Sequence, residues 1–166
     1  MKQVAWGYVS SAKVTDRNIL VGKCCKKDDP LRNGQLVIPG GGLLPGEDYT
    51  DTAIREVKEE TGVATERYKA YIIGNFMPRR AYLPNLEADI WADGKVVLRY
   101  TDSHKKYEGR IISLSQYPED QEPTEQPESD VREPQYIRLT EAIKRKGEFT
   151  PACQFLLELI KEREEV

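Results

Sequence analysis

Glu56, Glu59 and Glu60 lie within a stretch whose apolar periodicity predicts a helix over 49–61. At roughly 100° per residue, spacings of three and four set all three carboxylates on one flank. Ala53, Ile54, Val57 and Thr61 form the inner stripe beside them, so the acids stand at the edge of the core. Like charges at this spacing repel by a few tenths of a kcal/mol per pair. A divalent cation removes that conflict, and oxygen-only ligands suit Mg²⁺ or Mn²⁺, which keep waters and bridge to substrate phosphates. Ahead of the helix runs Pro39-Gly40-Gly41-Gly42. Its bare backbone can approach a ligand closely and reads as too permissive for helix or stable strand.

The segment from Gly41 to Val63, GGLLPGEDYTDTAIREVKEETGV, resembles the signature of the Nudix hydrolase family: glycine, five residues, Glu, seven residues, then Arg-Glu-aliphatic-x-Glu-Glu-x-Gly-aliphatic. Gly41, Glu47, Arg55, Glu56, Val57, Glu59, Glu60, Gly62 and Val63 fill every fixed position. The resemblance implies an α/β fold, an α/β/α sandwich around a mixed β-sheet. It also implies Mg²⁺-dependent hydrolysis of the pyrophosphate bond in a nucleoside diphosphate linked to another moiety. By position, Glu56, Glu59 and Glu60 become the metal-binding and catalytic carboxylates, with the Gly41 carbonyl as an added ligand. Arg55 belongs to the same constellation through an ion pair with Glu47 that tethers loop to helix. Gly40 and Gly41 face the substrate. The general base is either Glu56 or an acid of a later loop, where Glu128 and Asp130 stand; Glu128 is the candidate further metal ligand. A homodimer is also expected. One departure is Val37, at a position where many relatives carry tryptophan.

Substrate signals are thinner. Pro78 lies sixteen residues after Gly62, where ADP-ribose pyrophosphatases tend to carry proline. Tyr82 is a candidate base-stacking residue of the kind found in dinucleoside polyphosphate hydrolases. Arg79 and Arg80 are candidate phosphate ligands, with plain surface solvation as the alternative, and the same applies to Lys23, Lys26 and Lys27. ADP-ribose or a related nucleotide sugar is the first expectation. Nucleoside triphosphates and dinucleoside polyphosphates are the alternatives, and a nucleotide-sensing module without catalysis is the rival from another class.

The elements that must position these residues can be read in outline. Strands are expected over 4–10, 19–25, 35–38, 68–76, 110–114 and 136–139, with a turn at Thr15-Asp16-Arg17-Asn18. Asp93-Gly94, between 88–92 and 95–100, signals a two-residue hairpin. From Tyr117 to Pro134 four prolines and seven acids against Arg132 alone predict a solvated loop. Gly62 is placed to end the first helix in a left-handed cap. Thr140 is the expected cap of a short helix closed by Gly147, and Thr150-Pro151 opens the last helix.

Composition bounds the rest. A chain of 166 residues is expected to form a single domain, 1–166, around one core. Net charge is −3 with no dense Lys/Arg block, which argues against gripping nucleic acid. No apolar run approaches the roughly 20 residues of a membrane span, and no secretory signal is visible, so the cytoplasm is expected. Cys24, Cys25 and Cys153 read as thiols, and with His104 the only histidine a zinc site is disfavoured.

Overall fold

The computed structural model describes residues 1–13 and 15–164. The last two residues of the expected domain, and Val14 beside its first turn, lie outside the described residues. Strand β1 (Lys2–Ser10) sets the layering. Side chains alternate across a strand, so Val4, Trp6 and Tyr8 enter one apolar cluster while Ala5 and Val9 enter another on the opposite face. Strand β2 (Asn18–Cys24) divides likewise, Ile19 and Val21 to the first cluster and Leu20 to the second.

Among the described residues there are ten strands and three α-helices. The remaining strands are β3 (Leu36–Val37), β4 (Gly40–Gly42), β5 (Thr65–Ile72), β6 (Arg79–Leu83), β7 (Leu86–Ile90), β8 (Val96–Tyr100), β9 (Lys106–Gln116) and β10 (Val131–Arg138). Six run in the order β4-β1-β9-β8-β7-β6, with β5 also on β9; β10-β2-β3 form a smaller sheet. The β1–β9 pair is parallel and the other pairs are antiparallel, so the large sheet is mixed. Helix α1 (Tyr49–Thr61) packs Ala53 and Val57 on the Ala5–Val9 face. Helices α2 (Leu139–Lys144) and α3 (Pro151–Glu164) bury Leu139, Leu156, Leu159 and Ile160 against the other face. The α/β arrangement expected from the sequence is the one found.

Several local expectations change. The glycine stretch is strand β4, because Gly40, Gly41 and Gly42 pair with Trp6, Ala5 and Val4. Partnership with β1 supplies the order that glycine alone lacks. Strand β6 was not anticipated: with Arg79, Arg80 and Tyr82 it shows no clean apolar alternation, yet it pairs along its length with β7. Strand β5 begins at Thr65 and ends at Ile72, earlier than expected at both ends. Strand β10 starts at Val131, inside the region read as loop. It absorbs Pro134, which has no N–H, through a register shift between Arg132 and Gln135. The turn between β7 and β8 has three residues, Ala92-Asp93-Gly94, closed by the Trp91 N–H donating to the Lys95 carbonyl at 2.9 Å. Helix α2 begins at Leu139, so Thr140 lies within it, and Gly147 sits in a 3-10 turn, Lys146–Glu148.

Both ends of α1 are locked. Asp48 caps its start, accepting from the Asp51 N–H at 2.7 Å, while the Asp51 side chain accepts from the Asp48 N–H at 3.2 Å. Arg67 on β5 grips both acids. At the other end Gly62 closes the helix at φ 74°. A Cβ there would meet Thr124 Oγ1 and the Gln126 amide nitrogen, each at 2.6 Å. The residue is therefore fixed both by backbone conformation and by the loop lying on it. Gly62→Ala is expected to cost at least ~1–2 kcal/mol, from left-handed backbone alone, a fall in melting temperature of roughly 2–8 °C. Amide exchange over 120–130 should quicken in the same variant. Unchanged exchange there would show that the loop does not depend on this contact.

Candidate active site

Glu47, in the turn before α1, presents one carboxylate oxygen to the Leu44 N–H and the Thr52 hydroxyl, both at 2.9 Å. Arg55, two turns into the helix, reaches back and donates Nε to Glu47 Oε2 at 2.8 Å and Nη2 to Glu47 Oε1 at 2.9 Å. Nη2 also donates to the Gly42 carbonyl at 3.0 Å. Nη1 donates to Glu56 at 2.8 Å and to Glu59 at 3.2 Å. Five bonds match the five N–H groups a guanidinium possesses. The Arg55 hydrogen bonds hold the Glu47 carboxyl down at about 2, and the same pairing holds Arg55 charged far above neutral pH.

The glycine strand meets the helix acids directly. The Gly40 N–H donates to Glu60 Oε1 at 3.0 Å. A Cβ on Gly41 would lie 2.5 Å from the Glu56 carboxyl, so any larger residue would displace that carboxylate. Burial is the chief cause that raises the pKa of both Glu56 and Glu60, and Glu60 is raised further by the charge of Glu56 beside it. These carboxyls therefore hold their negative charge at a cost that a cation would relieve.

Glu59 differs, being exposed and drawn outward to Arg55. Among the described residues, no three acidic, cysteine or histidine side chains already converge at metal-binding distance. The physical reason is local: Arg55 holds Glu59, and Gly40 draws Glu60 inward. The donor chemistry still fits a hard divalent ion. It is all oxygen, partly desolvated and backed by a glycine whose missing side chain leaves the carboxylate its place.

These residues line a cleft of about 770 Å³. Gly40, Gly41, Glu56, Glu59 and Glu60 line it together with residues 126–131, including Glu128 and Asp130. The acidic loop is anchored, contrary to its solvated appearance in sequence. The Thr124 N–H donates to the Thr61 carbonyl at 2.8 Å, and Gln121 exchanges two hydrogen bonds with the Ala64 backbone. Glu128 thereby shares the cleft with the helix acids.

Arg79 and Arg80 do not share it. Arg79 donates to Glu162 on α3 at 2.8 Å and Arg80 to Asp89 on β7 at 2.6 Å. Both lie on β6, the far edge of the sheet, as does the exposed Tyr82. The cleft instead takes residues that sequence did not single out: Arg32, Tyr100, Thr150 and Cys153. Thr150 had been visible only as a helix cap. The Cys153 thiol accepts from the Ile38 N–H at 3.3 Å, tying the start of α3 to the chain just before the glycines.

A model of the NUDIX domain matches residues 8–155. The chain belongs to the Nudix family. Solved structures agree at the level of fold. A NUDIX hydrolase from Nitrosomonas europaea is 16% identical, with TM-score 0.65, over 97% of this chain and 88% of that one. The NUDIX domain of Shewanella oneidensis NrtR, complexed with ADP ribose, is 13% identical with TM-score 0.64 over 97% and 86%. A C. elegans Ap4A hydrolase is 17% identical with TM-score 0.55 over 96% and 93%. Enzymes of the Nudix family generally use divalent metal ions. No helix among the described residues is long and apolar enough to cross a membrane.

The depressed Glu47 carboxyl makes a pH prediction. A carboxylate held below its ordinary 4.5, at about 2, stabilises the fold above its unfolded value and loses that contribution as pH falls through the folded value. Glu47→Gln should therefore be less stable than the parent at neutral pH. The gap should narrow as pH drops from about 5 to about 3. Urea unfolding of both proteins across that range measures it, and a gap constant down to the acid end would contradict the tether.

Proposed function

We propose that this Nudix protein hydrolyses the pyrophosphate bond of a nucleoside diphosphate linked to a second group, with Mg²⁺ as its cofactor and Mn²⁺ as a substitute. ADP-ribose and related nucleotide sugars are the first members of that class. The observation that carries the reading is the contact of Gly40 and Gly41 with Glu60 and Glu56 in the wall of the cleft. Glu56, Glu59 and Glu60 would hold the metal, with the Gly41 carbonyl and Glu128 as further oxygen donors. When bound, the cation neutralises the pyrophosphate and acidifies the attacking water.

The chain's own groups do the rest. Arg55 keeps Glu56 and Glu59 aimed along one flank and fastens the glycine strand through the Gly42 carbonyl. Backbone at Gly40 and Gly41, free of side chains, allows the phosphates to lie close against the wall. Glu56 and Glu128, which both line the cleft, are the two candidates to take the proton. Glu128→Gln at saturating Mg²⁺ separates them: loss of a limb of the pH–rate profile assigns the base to Glu128, and a retained limb, whatever the fall in kcat from the lost oxygen donor, assigns it to Glu56.

The test is a panel of ADP-ribose, a dinucleoside polyphosphate, a sugar nucleotide and a nucleoside triphosphate, with and without Mg²⁺. Release of a nucleoside monophosphate or phosphate only with metal is expected. Glu59→Gln should lower turnover at least ~10-fold while leaving the unfolding midpoint nearly unchanged, since Glu59 is exposed. Binding without product anywhere in the panel would favour a sensor, and full activity of Glu59→Gln at saturating Mg²⁺ would remove Glu59 from the metal site.

A further inference from the structure

The cleft is electrically divided. Its acids lie on α1 and on 126–131, whereas Lys26 and Arg32, the cations among its described lining residues, both come from the β2–β3 connection, residues 25–35. If these cations served to neutralise the acids, ion pairs would join them. Among the described residues none does. Arg32 pairs at 3.2 Å with Asp29 of its own loop, leaving guanidinium nitrogens uncommitted, and among the described residues Lys26 has no carboxylate within ion-pair distance. The helix acids take their compensation from Arg55 and the Gly40 N–H instead.

The connection that carries the two cations is built turn upon turn. Asp29 N–H donates to the Lys26 carbonyl at 3.1 Å, Arg32 N–H to Asp29 at 3.2 Å and Gln35 N–H to Arg32 at 3.0 Å. Its base extends the β2–β10 ladder, the Cys25 N–H donating to the Asp130 carbonyl at 2.7 Å. Burial raises the pKa of both the Tyr100 hydroxyl and the Cys153 thiol, and the charge of Arg32 nearby offsets part of that rise. Cys153 in turn feels the charge of Glu60, so the arginine and the acid wall both reach the surroundings of one thiol.

We propose that Lys26 and Arg32 form a second anion subsite, which selects substrates carrying a phosphate outside the scissile pyrophosphate. The inference rests on the hydrolase reading above and narrows its substrate class. The acid wall can accept phosphate only through a cation, whereas Lys26 and Arg32 can bind it directly, Arg32 through a planar fork matched to phosphate oxygens. A substrate with anionic groups at two points satisfies both walls; a plain nucleotide sugar satisfies one.

The experiment uses a matched pair, ADP-ribose and its 2′-phosphate, with the intact chain and with Lys26→Met, Arg32→Met and the double variant. Methionine keeps the apolar stem and removes only the charge. The intact protein should prefer the phosphorylated member by about tenfold in kcat/KM. The double variant should lose that preference while its kcat/KM for ADP-ribose stays within about twofold. An equal fall for both nucleotides, or an unaltered preference, overturns the subsite. Calorimetric titration of the same two nucleotides under a metal chelator gives a readout independent of turnover. Tighter binding of the phosphorylated member, abolished in the double variant, supports the subsite even if no nucleotide is cleaved, in which case only the hydrolase reading fails. Equal or absent binding of both by the intact chain overturns the subsite.

Discussion

Arg55 has five N–H donors and five acceptors. That one side chain joins the turn before α1, the carbonyl of the glycine strand and two of the three helix acids. A guanidinium can do this because its donors lie in a rigid plane, so every bond made fixes the direction of the others. Lysine, with three donors on a flexible stem, has no equivalent geometry. Half-buried beside carboxylates that burial disfavours, the charge of Arg55 also offsets repulsion that would otherwise splay the wall of the cleft.

The sheet gives this hub something to hold. Strand β1 buries both faces, so α1 and the glycine strand are both registered on it: α1 through Val57 and Ala53 against Ala5 and Val9, and β4 through backbone pairing at Val4, Ala5 and Trp6. An acidic helix and a side-chain-free strand are thus brought to one place by a shared neighbour. The acidic loop that also lines the cleft depends on the C-terminal cap of the same helix, where it lies on Gly62 and Thr61. The helix acids and the acidic loop are therefore both positioned by one helix, while the cations come from the β2–β3 connection.

Much of this was legible in the sequence because its causes are local. Helix α1 appeared with its bounds, since apolar period and the closing glycine both act within a few residues. The Glu47–Arg55 pair followed from the family signature, whereas the direct contact of Gly40 and Gly41 with Glu60 and Glu56 did not. What failed to show was set by distant partners. Strand β4 looks structureless until β1 is beside it, and β6 gains its order from β7. The loop of 117–130 has the composition of a solvated segment, yet hydrogen bonds to Thr61 and Ala64 fix it. Arg79 and Arg80 looked like phosphate ligands by residue type alone; the topology sends them to the far edge, where Glu162 and Asp89 engage them. Arg32 and Tyr100 reach the cleft from the β2–β3 connection and from β8, both distant in sequence from the helix acids.

The central claim is that the flank of α1 and the glycine strand together hold a divalent cation. A crystal of this Nudix protein soaked in Mn²⁺, with anomalous scattering recorded at the manganese edge, tests it without reference to any substrate. The account predicts a peak coordinated by Glu56 and Glu60 beside the Gly41 carbonyl, with Glu59 drawn off Arg55 toward it. Manganese bound only elsewhere, with Glu59 still on Arg55 and Glu60 still on the Gly40 N–H, would contradict it.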